Sequence, residues 1–291
     1  MEEFRTMNND PEVKFAEFSC KAISDSDPAL KLERCARICY KSEDKIKTGS
    51  AERLLKAVIQ RGHESVLEHY RLTVDASDLN EAYTSEFTGR FRIINSKYID
   101  IFRQTASGNI RAWRDEIRQE LSNNGDSVLG GIMSARYPLF FSDLVKPNDC
   151  FPSLAIYESR DYHTVLLTTN VRITHEFVRH RTLSFSQEST RYCNYGGNFV
   201  YIRPTEFGWR EAEMAIWEQQ IRTEAAAYCK LLEITKKPEQ ASAVLSKSLK
   251  ADIVITGTDN DWQKFFKLRL APDAHPEARK CARLIAEATG L

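Results

Sequence analysis

Apolar positions recur with helical spacing over residues 28 to 42, at Leu30, Leu32, Cys35, Ala36, Ile38 and Cys39, with Cys35 and Cys39 on one face. The same period predicts a helix from Ser50 to Arg61, with Ala51, Leu54, Leu55, Val58 and Ile59 on its apolar face. Ser50 suits the cap of that helix and Gly62 its stop. Tyr70 to Val74 alternates as a half-buried strand does, and the β-branched run His163 to Thr169 predicts another strand. Val171, Ile173, Thr174, Phe177 and Val178 predict a helix that carries Arg179 to Arg181 at its end. A long amphipathic helix is predicted over 208 to 235, bearing Trp209, Met214, Ile216, Trp217, Ile221, Ala225, Tyr228 and Leu232, with further helices over 238 to 249, 259 to 269 and 274 to 288. Ile253 to Thr256 fits an extended or a helical joint equally well. Between Asp75 and Asp161 the pattern changes: turn clusters at 122 to 126 and 146 to 149 interrupt it, and helical spacing shows only around Ile110 to Leu121.

A chain of 291 residues, 42% hydrophobic and 28% charged, suits one large globular domain or two modest ones. Its 41 basic residues balance 41 acidic ones, which argues against a nucleic-acid partner. Any anionic substrate must therefore be held by local clusters of arginine. With no apolar run of about 18 residues, no membrane partner is expected. The acidic, polar start Met1-Glu2-Glu3-Phe4 and seven scattered cysteines point to a cytoplasmic protein with reduced thiols.

Candidate chemistry concentrates in Arg179-His180-Arg181-Thr182-Leu183-Ser184-Phe185-Ser186-Gln187-Glu188-Ser189-Thr190-Arg191-Tyr192. Guanidinium forks match phosphate and carboxylate oxygens, and hydroxyls beside them complete an anion site. The alternative is a solvated charged loop. No metal is expected: His175-Glu176 and His180 resemble a zinc-protease helix, but the histidines stand at i and i+5, roughly 140° apart at ~100° per residue. Cys193 lacks a placed base and reads as a pocket wall rather than a nucleophile.

Arg179-His180-Arg181, seven residues, then Ser189 resembles the signature of the flavin-dependent thymidylate synthases. Gly62-His63-Glu64-Ser65-Val66-Leu67-Glu68-His69 is similar to a second block of that family. Phe265-Phe266-Lys267-Leu268-Arg269 with Ala274-His275-Pro276-Glu277 is similar to a third. The resemblance implies an α/β (α+β) subunit with a small antiparallel sheet flanked by helices: one catalytic domain over 1–291, interrupted by a partly helical insertion at about 75–161. It implies a homotetramer with shared active sites that methylates dUMP to dTMP. FAD, NADPH and methylenetetrahydrofolate would take part, the last as the folate substrate. Arg269 and His63 would be catalytic, with Arg269 set against the uracil. Glu176, Arg179, Gln187, Ser189, Thr190, Arg191 and Arg269 would hold dUMP. Ser65, Arg179, His180, Arg181, Gln187, Lys264 and His275 would hold FAD.

Three positions depart from the family pattern. Ser242 stands where an arginine is expected, a loss worth roughly 1.5–3 kcal/mol if that arginine made one charged hydrogen bond. Thr258-Asp259-Asn260 replaces an Asn-x-Arg pair, and Lys264 replaces a His or Asn. The run Asn109-Ile110-Arg111-Ala112-Trp113 resembles the missing pair, so the insertion could supply Asn109 and Arg111 to the site; the simpler reading makes Asn109 a helix cap. Lys247 or Lys250 could compensate for Ser242. Two alternatives remain open: a related flavoenzyme making another C5-modified deoxypyrimidine monophosphate, and a flavin- or nucleotide-binding protein without turnover.

Overall fold

The computed structural model describes residues 11–94, 96–151 and 153–291. In chain order the strands are β1 (Val13–Ala16), β2 (Ser19–Ala22), β3 (Arg71–Asp75), β4 (Ile99–Phe102), β5 (Thr105–Asn109), β6 (Ala155–Glu158), β7 (Tyr162–Asn170), β8 (Ser184–Gln187), β9 (Phe199–Ile202) and β10 (Lys250–Thr258). The helices are α1 (Pro28–Ile38), α2 (Ser50–Gln60), α3 (Glu81–Ile93), α4 (Ile110–Asn124), α5 (Val128–Arg136), α6 (Pro138–Phe141), α7 (Val171–Phe177), α8 (Glu211–Thr235), α9 (Pro238–Ala241), α10 (Asp259–Arg269) and α11 (Pro276–Thr289).

The fold is mixed α/β, with small antiparallel sheets flanked by helices. One sheet runs β2-β7-β10-β8, a second runs β4-β5-β3-β6, and β1 pairs with β9 in parallel. β10 resolves the ambiguity at Ile253 to Thr256: it is a central strand, paired antiparallel with β7 along its length and with β8 from Ile253 to Thr256. Val254 and Ile255 are buried in that position, so burial on both faces explains the lack of alternation.

Residues 75 to 161 hold more strand than their periodicity suggests. β4, β5 and β6 build a sheet around β3, which directly follows the second block. Phe87, Phe91, Trp113, Ile117, Phe140 and Phe141 from this stretch share one core with Leu32, Cys35, Leu55 and Leu67. The stretch is therefore packed into the body of the protein. A separate core of Val165, Leu167, Phe177, Ile253, Trp262, Phe265 and Cys281 joins β7, β10, α7, α10 and α11.

Several local expectations are corrected. α1 ends at Ile38 rather than 42, because Lys41 adopts φ 47°, outside the helical region. Its start is held by Asp27, whose carboxylate accepts from the amides of Ala29 (2.7 Å) and Leu30 (3.1 Å). Ser50 does not cap α2; Gly49 does, at φ 74°, and Ser50 Oγ instead donates to Lys47 O at 2.7 Å. The left-handed entry at Gly49 turns that hydroxyl away from the helix amides. The helix expected over 238 to 249 stops at Ala241, followed by one 3₁₀ turn at Ser242–Val244. Beyond it, Glu224 accepts from Ser246 N at 3.1 Å and Ser248 Oγ accepts from Trp217 Nε1 at 3.1 Å. These contacts tie the segment to α8 in place of helical hydrogen bonds.

Candidate active site

The Arg179-to-Tyr192 stretch begins where α7 ends. Asn170 caps α7, accepting from Ile173 N at 3.0 Å, and the chain then turns at His180 and Leu183 before entering β8. Gly257 on β10 makes room for that turn, since a β-carbon there would collide with Leu183 Cδ2. Arg179, Arg181 and Arg191 are exposed, and none is ion-paired among the described residues. Uncompensated guanidinium groups on one short stretch attract anions.

A compact polar triad forms where α7 gives way to this stretch. The Arg269 guanidinium donates from Nη1 to Glu176 Oε2 at 2.7 Å and from Nη2 to the Glu176 carbonyl at 2.7 Å. Its Nε–H donates to His180 Nε2 at 2.9 Å. His180 must therefore be neutral at that nitrogen. Burial, then the neighbouring Arg269 charge, pushes its pKa down to about 4. Burial also lowers the Arg269 pKa, with Glu176 opposing the shift and Arg179 adding to it. Three of five guanidinium protons are engaged, so Arg269 keeps donors for a ligand.

The remaining residues of the stretch face two ways. Gln187 lies opposite Ile253 at the end of β8 and is half-buried. Ser189 anchors its loop to α1, its amide donating to Cys39 O at 3.1 Å while its Oγ accepts from Arg191 N at 3.3 Å. Thr190 is half-buried beside it. Tyr192 packs on Tyr40 with ring centroids 5.2 Å apart. His63 and Ser65 lie exposed at the 3₁₀ segment Glu64–His69, without a side-chain partner among the described residues. Lys264 is exposed on α10. His275 packs on Phe207 with centroids 5.5 Å apart, and no contact among the described residues joins it to the triad.

The Asn109 and Lys250 ideas resolve differently. Asn109 caps α4, accepting from Ala112 N at 2.8 Å, as the simpler reading has it. Arg111 pairs with Glu68 at 2.6 Å across the junction with the second block. Lys250 is held by Glu188 and Asp252 and offers no free charge to replace an arginine at Ser242. Ser242 donates to the Glu239 carbonyl at 3.0 Å; Lys247 is exposed.

Two groups escaped sequence reasoning. Glu188, fully buried, accepts charge from Lys41 (2.7 Å) and Lys250 (3.3 Å) and a hydrogen bond from Tyr195 Oη (2.6 Å). His69 is wholly buried between two sheet hydroxyls, with Nδ1 2.8 Å from Thr256 Oγ1 and Nε2 2.8 Å from Ser186 Oγ. Thr256 donates its own proton to Thr164 Oγ1 at 2.9 Å, so Nδ1–H is the donor to Thr256 and Nε2 accepts from Ser186. A histidine buried in the second block gave no spacing signal that set it apart from its neighbours.

A cleft of about 130 Å³ opens where these motifs meet. Glu68 lines it from the second block, Thr182 and Ser184 from the arginine stretch, Thr258, Asn260 and Lys264 from α10 and its cap, Arg71, Asp100 and Asn109 from the second sheet, and Tyr98 from just before β4.

The family model described as thymidylate synthase complementing protein matches residues 22–98 and 156–290. The chain belongs to that family. The span left unmatched inside it, 99–155, is shorter than the 75–161 set apart by the sequence pattern. Among relatives of the thymidylate synthase complementing family, a flavin-dependent thymidylate synthase of Geobacter sulfurreducens is 31% identical over 110 residues, covering 38% of this chain and 47% of that protein. The one from Nitratidesulfovibrio vulgaris is 31% identical over 118 residues, covering 38% and 48%. The chain thus spans about half the length of the curated relatives it matches. No helix among the described residues is long and apolar enough to cross a membrane.

Proposed function

We propose that this protein carries out the reductive methylation of dUMP to dTMP with FAD, methylenetetrahydrofolate and NADPH. The observation that carries the reading is the Glu176–Arg269–His180 triad at the start of the stretch that bears the exposed, unpaired Arg179, Arg181 and Arg191. Such an array suits a nucleotide: exposed forks take its phosphate, while an orienting pair holds one guanidinium against its ring. Gln187, Ser189, Thr190 and Arg191 would complete the dUMP site, and Arg179, His180, Arg181, Ser65, Lys264 and His275 the flavin site.

In this reading Glu176 and His180 fix the Arg269 fork in one orientation. Arg269 then stabilises charge developing on the uracil and makes C5 more nucleophilic, its guanidinium staying charged at working pH. His180, held neutral, orients Arg269 and adds no second cation to it. His63, exposed at the edge of the second block, would stand by the folate. FAD, when bound, supplies the redox chemistry and the carriage of the one-carbon unit. The exposed forks and the hydroxyls of Thr182 and Ser184 fit a phosphate-bearing cofactor. A homotetramer with shared sites is part of the proposal, supported by the apolar side chains that α8 leaves in solvent, Ile216 at 71% and Ile234 at 79% exposure. A cytoplasmic location accords with seven free cysteines.

Ser242 favours one second reading, an enzyme making a different C5-modified deoxypyrimidine monophosphate, because no side chain is seen replacing the absent arginine's charge. Tritium release from C5-labelled dUMP with FAD, NADPH and methylenetetrahydrofolate separates the two. Release with dTMP formation is expected, and Arg269→Ala is expected to lose it. Release without dTMP would favour the second reading, and no release from flavin-loaded protein would overturn both.

A further inference from the structure

Two stretches of the chain build the same unit. β3 pairs with β5 as β7 pairs with β10, and in each pair the first residue of one strand faces the cap of the helix that follows the other. Arg71 faces Asn109, the cap of α4, and Tyr162 faces Thr258, the cap of α10. At the same step beyond each cap stands a tryptophan whose Nε1–H donates to the second residue of the partner strand, Trp113 to Leu72 O at 3.0 Å and Trp262 to His163 O at 3.3 Å. A third strand enters beside each pair through a matching turn: Ile99 N donates to Ser96 O at 3.3 Å where β4 begins, and Leu183 N to His180 O at 3.1 Å just before β8. A glycine meets each entry, and a β-carbon on Gly108 or Gly257 would collide with Ile99 or Leu183. The units differ where turn meets helix. His180 is joined to α10 by Arg269 Nε at 2.9 Å and by the Phe265 ring, with centroids 4.9 Å apart. By the same count along turn and helix, Ser96 replaces His180, Glu116 replaces Phe265 and Glu120 replaces Arg269. Ser96 Oγ accepts from Tyr98 N and Glu120 accepts from Ser127 Oγ, so nothing draws turn and helix together.

A cleft of about 610 Å³ opens there, with Ser96, Lys97 and Tyr98 on one side and Asp115, Glu116 and Gln119 on the other. That volume falls within the range of small-molecule sites, about 300–1,000 Å³. Glu116 is only 9% exposed and has no hydrogen bond or ion pair among the described residues. Burial, then the nearby Glu120, raises its pKa. Its neighbours do not relieve it: Asp115 is taken by Arg118 at 2.8 Å, and Lys97 lies over the Tyr98 ring, 4.8 Å from its centroid. A buried carboxylate without a partner is costly unless a ligand brings donors to it. Gln119, on the same helical face, offers an amide beside that carboxylate, and Tyr98, 40% exposed, offers an aromatic surface. We propose that this cleft binds a flat 2-amino-4-oxopyrimidine ring, the edge shared by guanine and pterin, with Glu116 accepting from its two adjacent N–H groups, Gln119 donating to its carbonyl and Tyr98 packing on the ring. A carboxylate meets such a pair of donors with two parallel hydrogen bonds, the geometry that gives charge-assisted pairs their strength. The second unit thereby carries a ligand of its own, on the framework that holds the triad in the first.

The test is calorimetric titration of the full-length protein with GMP, with pterin and with AMP, which lacks the 2-amino group and the adjacent ring N–H. The parent is expected to bind GMP or pterin and to bind AMP far more weakly; whichever of the first two binds tells a nucleotide ligand from a pterin one. Glu116→Gln should weaken that binding roughly tenfold or more, the scale of a charged hydrogen bond. Its urea midpoint should hold or rise, because the substitution removes an unpaired buried charge. Gln119→Leu, at an exposed position, should also weaken binding and leave the midpoint in place. Binding of neither GMP nor pterin by the parent would overturn the proposal, as would AMP binding as tightly as GMP. Affinity unchanged in Glu116→Gln would overturn it too, since the ring would then sit elsewhere. Should Glu116→Gln lower the midpoint, Gln119→Leu decides: full affinity there would leave Glu116 a structural residue and refute the site.

Discussion

Acidification tests the structure through one side chain. His69 is wholly buried, neutral, and committed at both nitrogens, donating to Thr256 and accepting from Ser186. Burial first, and the nearby Lys31 charge second, push its pKa from 6.5 to about 3. The unfolded chain has no such restraint, so below pH 6.5 it takes up a proton that the folded protein refuses. Stability contributed by His69 is therefore complete above pH 6.5 and is lost as pH falls from there towards 3. Between pH 7 and pH 5 the loss amounts to about 2 kcal/mol, from 1.36 kcal/mol per pH unit over the part of the window below the unfolded pKa. His180, also lowered, to about 4, adds a similar slope, so the two must be separated. His69→Gln keeps a donor and an acceptor but cannot titrate. Urea unfolding of parent and variant at pH 7, 6 and 5 isolates the difference. The parent should lose about 2 kcal/mol more than the variant between the end points. Parallel losses would refute the argument, showing that His69 is protonated in the fold or that its burial is relieved by local opening.

Two further outcomes follow from the charge networks. Glu188→Gln leaves Lys41 without its 2.7 Å counter-charge and Lys250 with Asp252 alone, so denaturant unfolding should show a loss of about 3 kcal/mol, the scale for breaking a buried pair. Arg111→Ala, which removes a partly exposed pair with Glu68, should cost under about 1 kcal/mol and leave dUMP affinity unchanged by calorimetry. A large loss of dUMP affinity in Arg111→Ala would instead bring that arginine into the substrate site.

What the sequence determined was mostly local. The strands Arg71–Asp75 and Tyr162–Asn170, and the helices Val171–Phe177 and Asp259–Arg269, follow from apolar period and caps, because side chains repeat their direction every 2 residues in a strand and every 3.6 in a helix. The arginine stretch stood out for the same reason: exposed, unpaired charge leaves its mark in composition. Tertiary structure decided the rest. Lys250–Thr258 had no readable period because both its faces are buried, Val254 in one core and Ile253 and Ile255 in the other. The strands Ile99–Phe102, Thr105–Asn109 and Ala155–Glu158 became a sheet only by pairing around Arg71–Asp75, as far apart along the chain as Leu72 and Glu158. The partner of Arg269 was equally hidden, since Glu176 lies 93 residues away in sequence. Contacts across such separations depend on how the helices and sheets pack, and the local pattern of a sequence records which faces are buried, not what meets there.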